Sequence, residues 1–241
     1  MKDLVKNMIQ VKIMRKDFED LKKICEKIDS IELFQGAGGN ISFKHEEKLI
    51  IKASGKRMPS MPYEGYVILN NDNLKKIFYE NNLVTEEEAR KYIKNQIIFK
   101  PKENLNPSME TSFHCFLPKW VVHTHPLYLN IILSTKEAKH LINKIFNKKH
   151  NFIEYKKPGY ILSKSIFENY QKNEDNLVVY LLLNHGLIVA GDNPYECLKE
   201  TLEISEKCKN FVNSKISNKI ISYQNPTKCE SNKMSGFLGN K

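Results

Sequence analysis

The spacing of hydrophobic and polar residues in the first third of the chain predicts one helix followed by a β-hairpin. Between residues 17 and 28 the apolar side chains recur at helical spacing, at Phe18, Leu21, Ile24, Cys25 and Ile28. A loop at 35–39 then holds three glycines. Two short β-like runs, 40–44 and 48–53, are joined by a charged segment, which is typical of a hairpin.

The rest of the pattern alternates between strand-like runs and amphipathic segments. Strands are predicted at 66–69, 120–125, 152–155 and 177–183, and helices at 73–79, 85–91, 107–117, 135–146, after Gly159 and at 194–212. Glu110 falls in the first turn of the helix at 107–117, and Pro126 ends the strand at 120–125. Because hairpins are frequent and regular βαβ crossovers are few, the pattern favours a mostly antiparallel sheet covered by helices.

One domain over residues 1–214 accounts for this pattern. Residues 215–241 are polar, with little to bury, and predict a loose C-terminal tail. The chain has 241 residues, of which 41% are hydrophobic and 27% are charged, as in an ordinary globular protein. No apolar stretch approaches the length of a membrane span, and the first residues lack a signal-peptide pattern, so we expect no membrane partner.

The net charge of +10 and the cysteine pattern narrow the expected partners and compartment. The excess lysines are scattered and form no block of five or more like charges, so we expect no nucleic-acid partner. A solvated, lysine-rich surface is the favoured interpretation, and a field that attracts anionic substrates such as sugar phosphates is the alternative. Five widely spaced cysteines without a CxxC motif favour reduced thiols in a cytoplasmic protein.

His123 and His125 form a candidate pair of metal ligands. They lie two residues apart in a predicted strand, and strand side chains alternate between faces, so both imidazoles should point to the same side. Such a pair can offer two nitrogens to one cation at about 2.0–2.1 Å. Pro126 places the pair at a strand end, where active sites open. Taken alone, two such histidines are more often structural than ligating.

Two further residues extend this candidate site. His185 directly follows a buried apolar run and precedes Gly186; the alternative is a turn residue. Glu110 offers a carboxylate; the alternative is an acid that complements a helix dipole. Three neutral imidazoles with one carboxylate suit zinc and leave a position for substrate oxygens. His114, four residues after Glu110, would share a helix face with it; a structural role is favoured over support of Glu110.

Five segments, in this order and spacing, resemble the class II aldolase/adducin family. They are Gly39-Asn40-Ile41-Ser42, Ala53-Ser54-Gly55, Pro107-Ser108-Met109-Glu110-Thr111, His123-Thr124-His125-Pro126 and Asn184-His185-Gly186, and the resemblance covers residues 16–212. Within the family, residues 123–126 and 157–160 are most similar to the aldolase half of proteins that fuse an aldolase to a short-chain dehydrogenase. No GxGxxG motif follows a strand, so no nicotinamide site is expected.

The resemblance implies a fold and an activity. It implies a three-layer α/β/α sandwich around a largely antiparallel sheet, assembled as a homotetramer with active sites between subunits. It also implies a metal-dependent aldolase, an aldehyde-lyase that cleaves or forms a carbon–carbon bond in a sugar phosphate or related polyhydroxy metabolite through a metal-stabilised enediolate. A decarboxylase, epimerase or dehydratase on the same scaffold and a non-catalytic adducin-like interaction module are the alternatives.

The resemblance also assigns roles to individual residues. His123, His125 and His185 would hold a divalent metal, zinc first and manganese, cobalt or iron as alternatives, and Glu110 would be a catalytic acid/base that also ligates. The positions that would grip a phosphate or carboxylate are Asn40, Ser42, Ser54, Gly55 and Ser108. Lys56 and Arg57 would add charge there, with an equal case for plain surface residues. A second proton donor would be a tyrosine, with Tyr128, Tyr155 and Tyr160 as candidates.

Overall fold

The computed structural model describes residues 2–28, 30–58, 65–79, 85–147, 150–170 and 177–217. The strands in these ranges are β1 (Asn40–His45), β2 (Lys48–Lys52), β3 (Tyr66–Asn70), β4 (Ile97–Phe99), β5 (Trp120–Thr124), β6 (Asn151–Ile153), β7 (Leu177–Leu182) and β8 (Gly186–Gly191). The helices are α1 (Lys2–Lys27), α2 (Asn71–Lys75), α3 (Glu86–Asn95), α4 (Thr111–Phe116), α5 (Leu127–Leu133), α6 (Ala138–Phe146), α7 (Tyr160–Asn169) and α8 (Pro194–Ser217). A 3₁₀ turn, Lys76–Phe78, extends α2.

The strands form one sheet in the order β4-β3-β2-β1-β5-β8-β7-β6. Every neighbouring pair is antiparallel except β6 and β7, which run parallel. Hairpins account for the antiparallel pairing of β1 with β2 and of β7 with β8, because a short turn can only join antiparallel strands. The largely antiparallel sheet predicted from the sequence is therefore confirmed.

Helices cover both faces of the sheet. On one face α1, α5, α6 and α8 pack around a core that includes Ile24, Leu129, Ile142 and Ile204. On the other face α2, α3, α4 and α7 pack on two further apolar clusters. The central strands are largely buried on both sides, which explains continuous apolar runs such as the one in β7. The arrangement is the predicted three-layer α/β/α sandwich.

The structure departs from the predicted elements in the central region of the chain and at the end of α8. The helix predicted at 107–117 begins only at Thr111, so Glu110 occupies the N-cap position instead of the first turn. Three elements were not predicted, β4, α5 and β8. The tail predicted at 215–241 starts within α8, which continues to Ser217, and residues 218–241, including Cys229, lie outside the described residues.

The sheet brings the predicted functional segments to one of its ends. Because β1 and β5 are antiparallel, the first residue of β1, Asn40, lies opposite His123 near the end of β5. The turn between β7 and β8 reaches the same end, since Thr124 pairs with Leu187. The glycine loop before β1 and the turn after β2 complete this rim, so a site is expected there.

Two further observations concern the described residues only. None of the helices is both long and apolar enough to cross a membrane. Cys25, Cys115, Cys197 and Cys208 are all free thiols and all buried. Burial raises the pKa of each thiol, to about 11 for Cys25 and about 12 for the other three. These cysteines therefore behave as core residues.

Candidate metal centre

Three histidines converge at the end of the sheet. Nitrogen atoms of His123, His125 and His185 lie within 4.8 Å of one another. The Nε2 atoms of His123 and His125 are 3.1 Å apart. His123 belongs to β5, and His125 lies just beyond it, where its backbone N–H donates to the carbonyl of Leu33 at 3.0 Å. The sequence-predicted triad is thus brought together in space.

The carboxylate of Glu110 lies against His123 and His185 of the triad. Its Oε2 atom lies 3.3 Å from Nε2 of His123, and its Oε1 atom lies 3.2 Å from Nε2 of His185. Only 6% of the residue is exposed, and Oε1 has no hydrogen-bond partner among the described residues. A buried carboxylate oxygen without a partner is costly unless a cation neutralises it. The donor set of imidazole nitrogens and a carboxylate therefore fits a divalent metal such as zinc.

A hydrogen bond at Nδ1 of His123 determines which of its two ring nitrogens faces the centre. Its Nδ1–H donates to the carbonyl of Leu187 at 2.9 Å, so the ring turns its Nε2 atom toward the centre. His185 is held through its backbone, because Asn130 donates to its carbonyl at 3.0 Å. The chain therefore orients the ring of His123 directly and holds the backbone that carries His185.

The local environment also sets the protonation states of His125 and Glu110. Burial, helped by the neighbouring imidazoles of His123 and His185, lowers the pKa of His125 to about 3, so the ring is neutral at neutral pH. Burial raises the pKa of the Glu110 carboxyl, but His123 and His185 outweigh burial and hold that pKa well below its ordinary value. The centre thus offers neutral His125 and an ionised carboxylate, which are the forms that bind metal.

A chain of hydrogen bonds runs from the interior to Glu110. The amide nitrogen of Asn40 donates to Oε2 of Glu110 at 2.9 Å. Its carbonyl oxygen therefore faces His114, which donates from Nε2 and accepts from the Ser42 hydroxyl at Nδ1, at 2.7 Å. His114 and Ser42 are fully buried. This geometry favours the alternative for His114, support of Glu110, and it places Ser42 behind the centre.

The remaining predicted anion-binding residues border a separate cavity. Ser54 and Ser108 line a cavity of about 190 Å³, together with Asn106 of the same loop region. Gly55 lies in the adjoining turn with φ +75°, a conformation that favours glycine. The side chains that line the cavity do not include Lys56 or Arg57. Instead, two cations that the sequence analysis missed, Arg90 and Lys94 of α3, contribute to its wall.

Lys52 is a second feature that the sequence analysis missed. Its side chain is 2% exposed, and Nζ donates to three backbone carbonyls, those of Ala37 at 3.3 Å, Ala53 at 3.4 Å and Lys56 at 2.7 Å. The signal in the sequence was a lysine that directly follows the apolar run Leu49-Ile50-Ile51. A lysine at a strand end can usually reach solvent, but here the ammonium group donates to Ala37 of the glycine loop and stays buried.

Two glycines permit the close packing around His125. A Cβ atom added at Gly38 would lie 2.8 Å from Nδ1 of His125. At Gly186 it would lie 2.5 Å from the carbonyl oxygen of Thr124 and 2.9 Å from Cδ2 of His125. The imidazole is therefore held between two loops that only glycine allows to approach so closely.

The structure leaves the candidate tyrosines apart from these contacts. Tyr160 is buried and its hydroxyl donates to the carbonyl of Ile77 at 3.3 Å. Tyr155 is 58% exposed. Among the described residues, no hydrogen bond joins Tyr128, Tyr155 or Tyr160 to Glu110 or to the three histidines. Within the described chain, the acidic side chain in contact with the triad is thus Glu110.

Comparisons with known proteins point to one family. The sequence profile of the Class II Aldolase and Adducin N-terminal domain matches residues 19–212. The L-fuculose phosphate aldolase of Methanocaldococcus jannaschii is 24% identical over 197 residues, which are 80% of this chain and 94% of the relative. The match confirms the resemblance drawn from the five sequence motifs.

Two further similarities bear on the fold and on length. The N-terminal class II aldolase domain of a conserved Thermoplasma acidophilum protein is 26% identical, with a TM-score of 0.70 over 80% of this chain and 92% of that one. The uncharacterized oxidoreductase YuxG of Bacillus subtilis is 28% identical over 190 residues, which are 75% of this chain. The matched region spans only 27% of YuxG, so the similarity concerns one part of that protein.

Proposed function

The chain belongs to the class II aldolase and adducin N-terminal domain family, and from this premise we propose that it is a metal-dependent aldolase acting on a phosphorylated sugar or a related polyhydroxy metabolite. The observation that carries the proposal is the convergence of His123, His125 and His185 with the buried carboxylate of Glu110. A purely structural site gains nothing from three converging imidazoles beside a buried carboxylate whose Oε1 atom has no hydrogen-bond partner among the described residues, because such a buried polar atom is costly.

The three histidines would hold the cation, with zinc the best match to nitrogen ligands. When bound, a divalent cation supplies Lewis-acid polarisation of a substrate carbonyl and of the neighbouring hydroxyl. Because Glu110 touches both His123 and His185, it lies beside any substrate oxygens that reach the centre. Its position suits a group that either ligates or exchanges protons.

Glu110 would move the proton that the reaction requires. In aldol cleavage a base removes the proton of a hydroxyl, the adjacent carbon–carbon bond breaks, and its electron pair moves toward the carbonyl; the carbon is then protonated. Two fragments form, and no oxidant or reductant is consumed. Asn40 would keep Oε2 in place through its 2.9 Å hydrogen bond, leaving Oε1 free to face the substrate. His114 and Ser42 would fix the Asn40 amide in that orientation.

The test combines metal content with product analysis. We expect about one divalent cation per chain by elemental mass spectrometry, and its loss in His123→Ala and His185→Ala. Glu110→Gln should keep the metal, because the imidazoles remain, but should lower turnover by about 10²- to 10⁴-fold, since the proton-transfer group is gone. The substrates to screen are phosphorylated ketoses, with two-fragment products detected by mass spectrometry.

The products also separate the alternatives. Two carbonyl fragments support aldol cleavage, whereas carbon dioxide, an isomer or a dehydrated product would replace it with a decarboxylase, epimerase or dehydratase. Wild-type turnover by Glu110→Gln would remove Glu110 from the mechanism. A wild-type protein that binds no metal after incubation with zinc, manganese, cobalt or iron would refute the proposal and favour a non-catalytic family member.

A further inference from the structure

The helix α5 joins two parts of the metal centre that are far apart in the sequence. It begins directly after His125 and Pro126, and the backbone N–H of Asn130 donates to the carbonyl of Pro126 at 2.8 Å. The side-chain amide of Asn130 then donates to the carbonyl of His185 at 3.0 Å. One short helix therefore connects the segment that carries two of the histidines to the turn that carries the third.

The end of α5 holds the same turn at a second point. The carbonyl of Leu133 accepts the backbone N–H of Asn184 at 3.4 Å. Within the turn, the backbone N–H of His185 donates to the carbonyl of Leu182 at 3.0 Å. These contacts fix the backbone of His185, so the remaining freedom of this residue is the rotation of its ring.

The ring of His185 has one nitrogen atom without a partner. Its Nε2 atom lies 3.2 Å from Oε1 of Glu110 and therefore faces the centre. Its Nδ1 atom is buried and has no hydrogen-bond partner among the described residues. A histidine that binds a cation through Nε2 carries its hydrogen on Nδ1, and such an N–H normally donates to an acceptor of the protein. Cation binding would thus create a buried donor at this nitrogen.

The side chain of Asn130 contains an acceptor that also lacks a partner. A carbonyl can only accept, so the amide nitrogen of Asn130 must face the carbonyl of His185, which leaves Oδ1 as the free end of the amide. This Oδ1 atom is buried and has no hydrogen-bond partner in the described part of the chain. The two side chains are already joined by one hydrogen bond, and each has one further buried atom that complements the other.

We propose that Asn130 is a positioning residue of the metal centre, whose Oδ1 atom accepts the Nδ1–H of His185 when Nε2 of that ring binds the cation. The amide then holds His185 both by its backbone and by its ring. The inference rests on the metal site of the proposed function, and it adds to that site a residue from outside the five motifs. Asn130 stabilises the protein with bound cation more than the protein without it, because only the former requires the acceptor.

The experiment measures the zinc affinity of the full chain by competition with a chromophoric chelator. Asn130→Leu keeps a similar side-chain volume but removes both donor and acceptor, so we expect zinc to bind about 10- to 100-fold more weakly. Asn130→Asp keeps an acceptor for Nδ1–H but loses the donor to the carbonyl, and its zinc affinity should stay within about threefold of the wild type. A residue that only held the backbone would lose at least as much affinity in Asn130→Asp as in Asn130→Leu.

Thr124→Val is the matched control. The hydroxyl of Thr124 is also buried without a partner in the described chain and lies at the same end of the sheet, but the inference gives it no role. Its removal should leave zinc affinity within about twofold of the wild type. The visible absorption of the cobalt-loaded protein reports the ligand geometry directly, and it should change in Asn130→Leu but not in Thr124→Val.

Three results would overturn the inference: wild-type zinc affinity in Asn130→Leu, equal losses in Asn130→Leu and Asn130→Asp, or an equal loss in Thr124→Val. If Asn130→Leu does not fold, Asn130→Asp decides alone, and a loss beyond about threefold counts against the role of the acceptor.

Failure of this inference is separable from failure of the proposed function. If zinc affinity depends on the acceptor at residue 130 but no phosphorylated ketose is cleaved, the positioning role stands and the aldolase assignment falls. If the wild type cleaves such a ketose and Asn130→Leu keeps its zinc affinity, the aldolase stands and the positioning role falls. A wild type that binds no zinc or other divalent cation would refute the metal site on which both depend.

Discussion

At the residue scale, the ammonium group of Lys52 joins the two loops that border the metal centre. It binds Ala37 in the glycine loop and Ala53 and Lys56 in the turn after β2. Burial lowers the pKa of Lys52 to about 8, with the nearby Cys25 and Glu110 opposing that change. The group therefore remains largely protonated at neutral pH, and its three N–H bonds all serve the backbone. Its role is to position the loops.

Lys52→Met tests this positioning role. The substitution keeps most of the apolar stem but removes every donor, so buried carbonyls lose their partner. We expect the free energy of unfolding to fall by about 1–3 kcal/mol, and phosphate binding to weaken because Ser54 lies in the turn that the ammonium holds. Urea unfolding and phosphate titration measure both effects. Lys91→Met, on the exposed side of α3, is the control; equal stability of the two variants would show that the carbonyl contacts contribute little.

The same residue shows why part of the site was predictable and part was not. His123, His125, His185 and Glu110 were recognised because ligating residue types stood at positions with a defined local geometry. Lys52 was missed, since its partners come from a loop 15 residues earlier in the chain, and no local pattern reveals which carbonyls a fold brings near an amine. The chain from Ser42 through His114 to Asn40 was missed for the same reason.

At the element scale, the turn between β7 and β8 both reverses the chain and presents His185. Asn184 adopts a left-handed conformation with φ +56°, and Gly186 starts β8 with its backbone against Thr124 and His125. β8 was not predicted because His185 was interpreted as a ligand or as a turn residue, and the apolar run that begins at Gly186 was not assigned to a second buried strand. α5 was missed because it follows Pro126 directly, where we expected a strand end and no new helix.

Gly186→Ala tests whether this turn both reverses the chain and positions His185. The added methyl group would lie 2.5 Å from the carbonyl oxygen of Thr124, so either β5 or the turn must shift. We expect a loss of stability of about 1–3 kcal/mol from overpacking and a lower metal content, because His125 and His185 move apart. Elemental analysis and urea unfolding measure both. The control is Gly36→Ala, where the added carbon meets nothing within 4 Å and the cost is backbone strain alone. Full metal occupancy in Gly186→Ala would contradict the argument.

At the scale of the whole molecule, the central sheet was easier to predict than the arrangement of the helices that cover it. Strand runs such as residues 66–69 and 177–183 were recognised from composition and period, and a mostly antiparallel sheet was inferred from the hairpin pattern and the few regular βαβ crossovers. Which helix faces which cavity depends on long-range packing. For that reason α3 was predicted as a helix, whereas Arg90 and Lys94 were not recognised as residues that line a cavity.

The buried polar groups in the middle layer also give the molecule a predictable response to acid. His114 is fully buried between the sheet and α4, and burial, reinforced by the positive charge of Lys44, holds its pKa well below the ordinary value. The unfolded chain takes up a proton at His114 below about pH 6.5, while the folded chain does not. Stability from this residue is therefore present above that pH and is lost as the pH falls below it.

His114→Gln isolates this contribution in the metal-free protein. The amide can still hydrogen-bond within the core but does not titrate, so every other group contributes equally to the two proteins. Between pH 7 and pH 5 we expect the wild type to lose about 2 kcal/mol more unfolding free energy than the variant. The variant should start from a lower stability at pH 7, because the amide cannot reproduce both contacts of the ring. Urea unfolding at each pH measures the difference. Parallel pH profiles would mean that His114 is protonated in the folded protein, and the hydrogen-bond chain to Glu110 would then need a different proton arrangement.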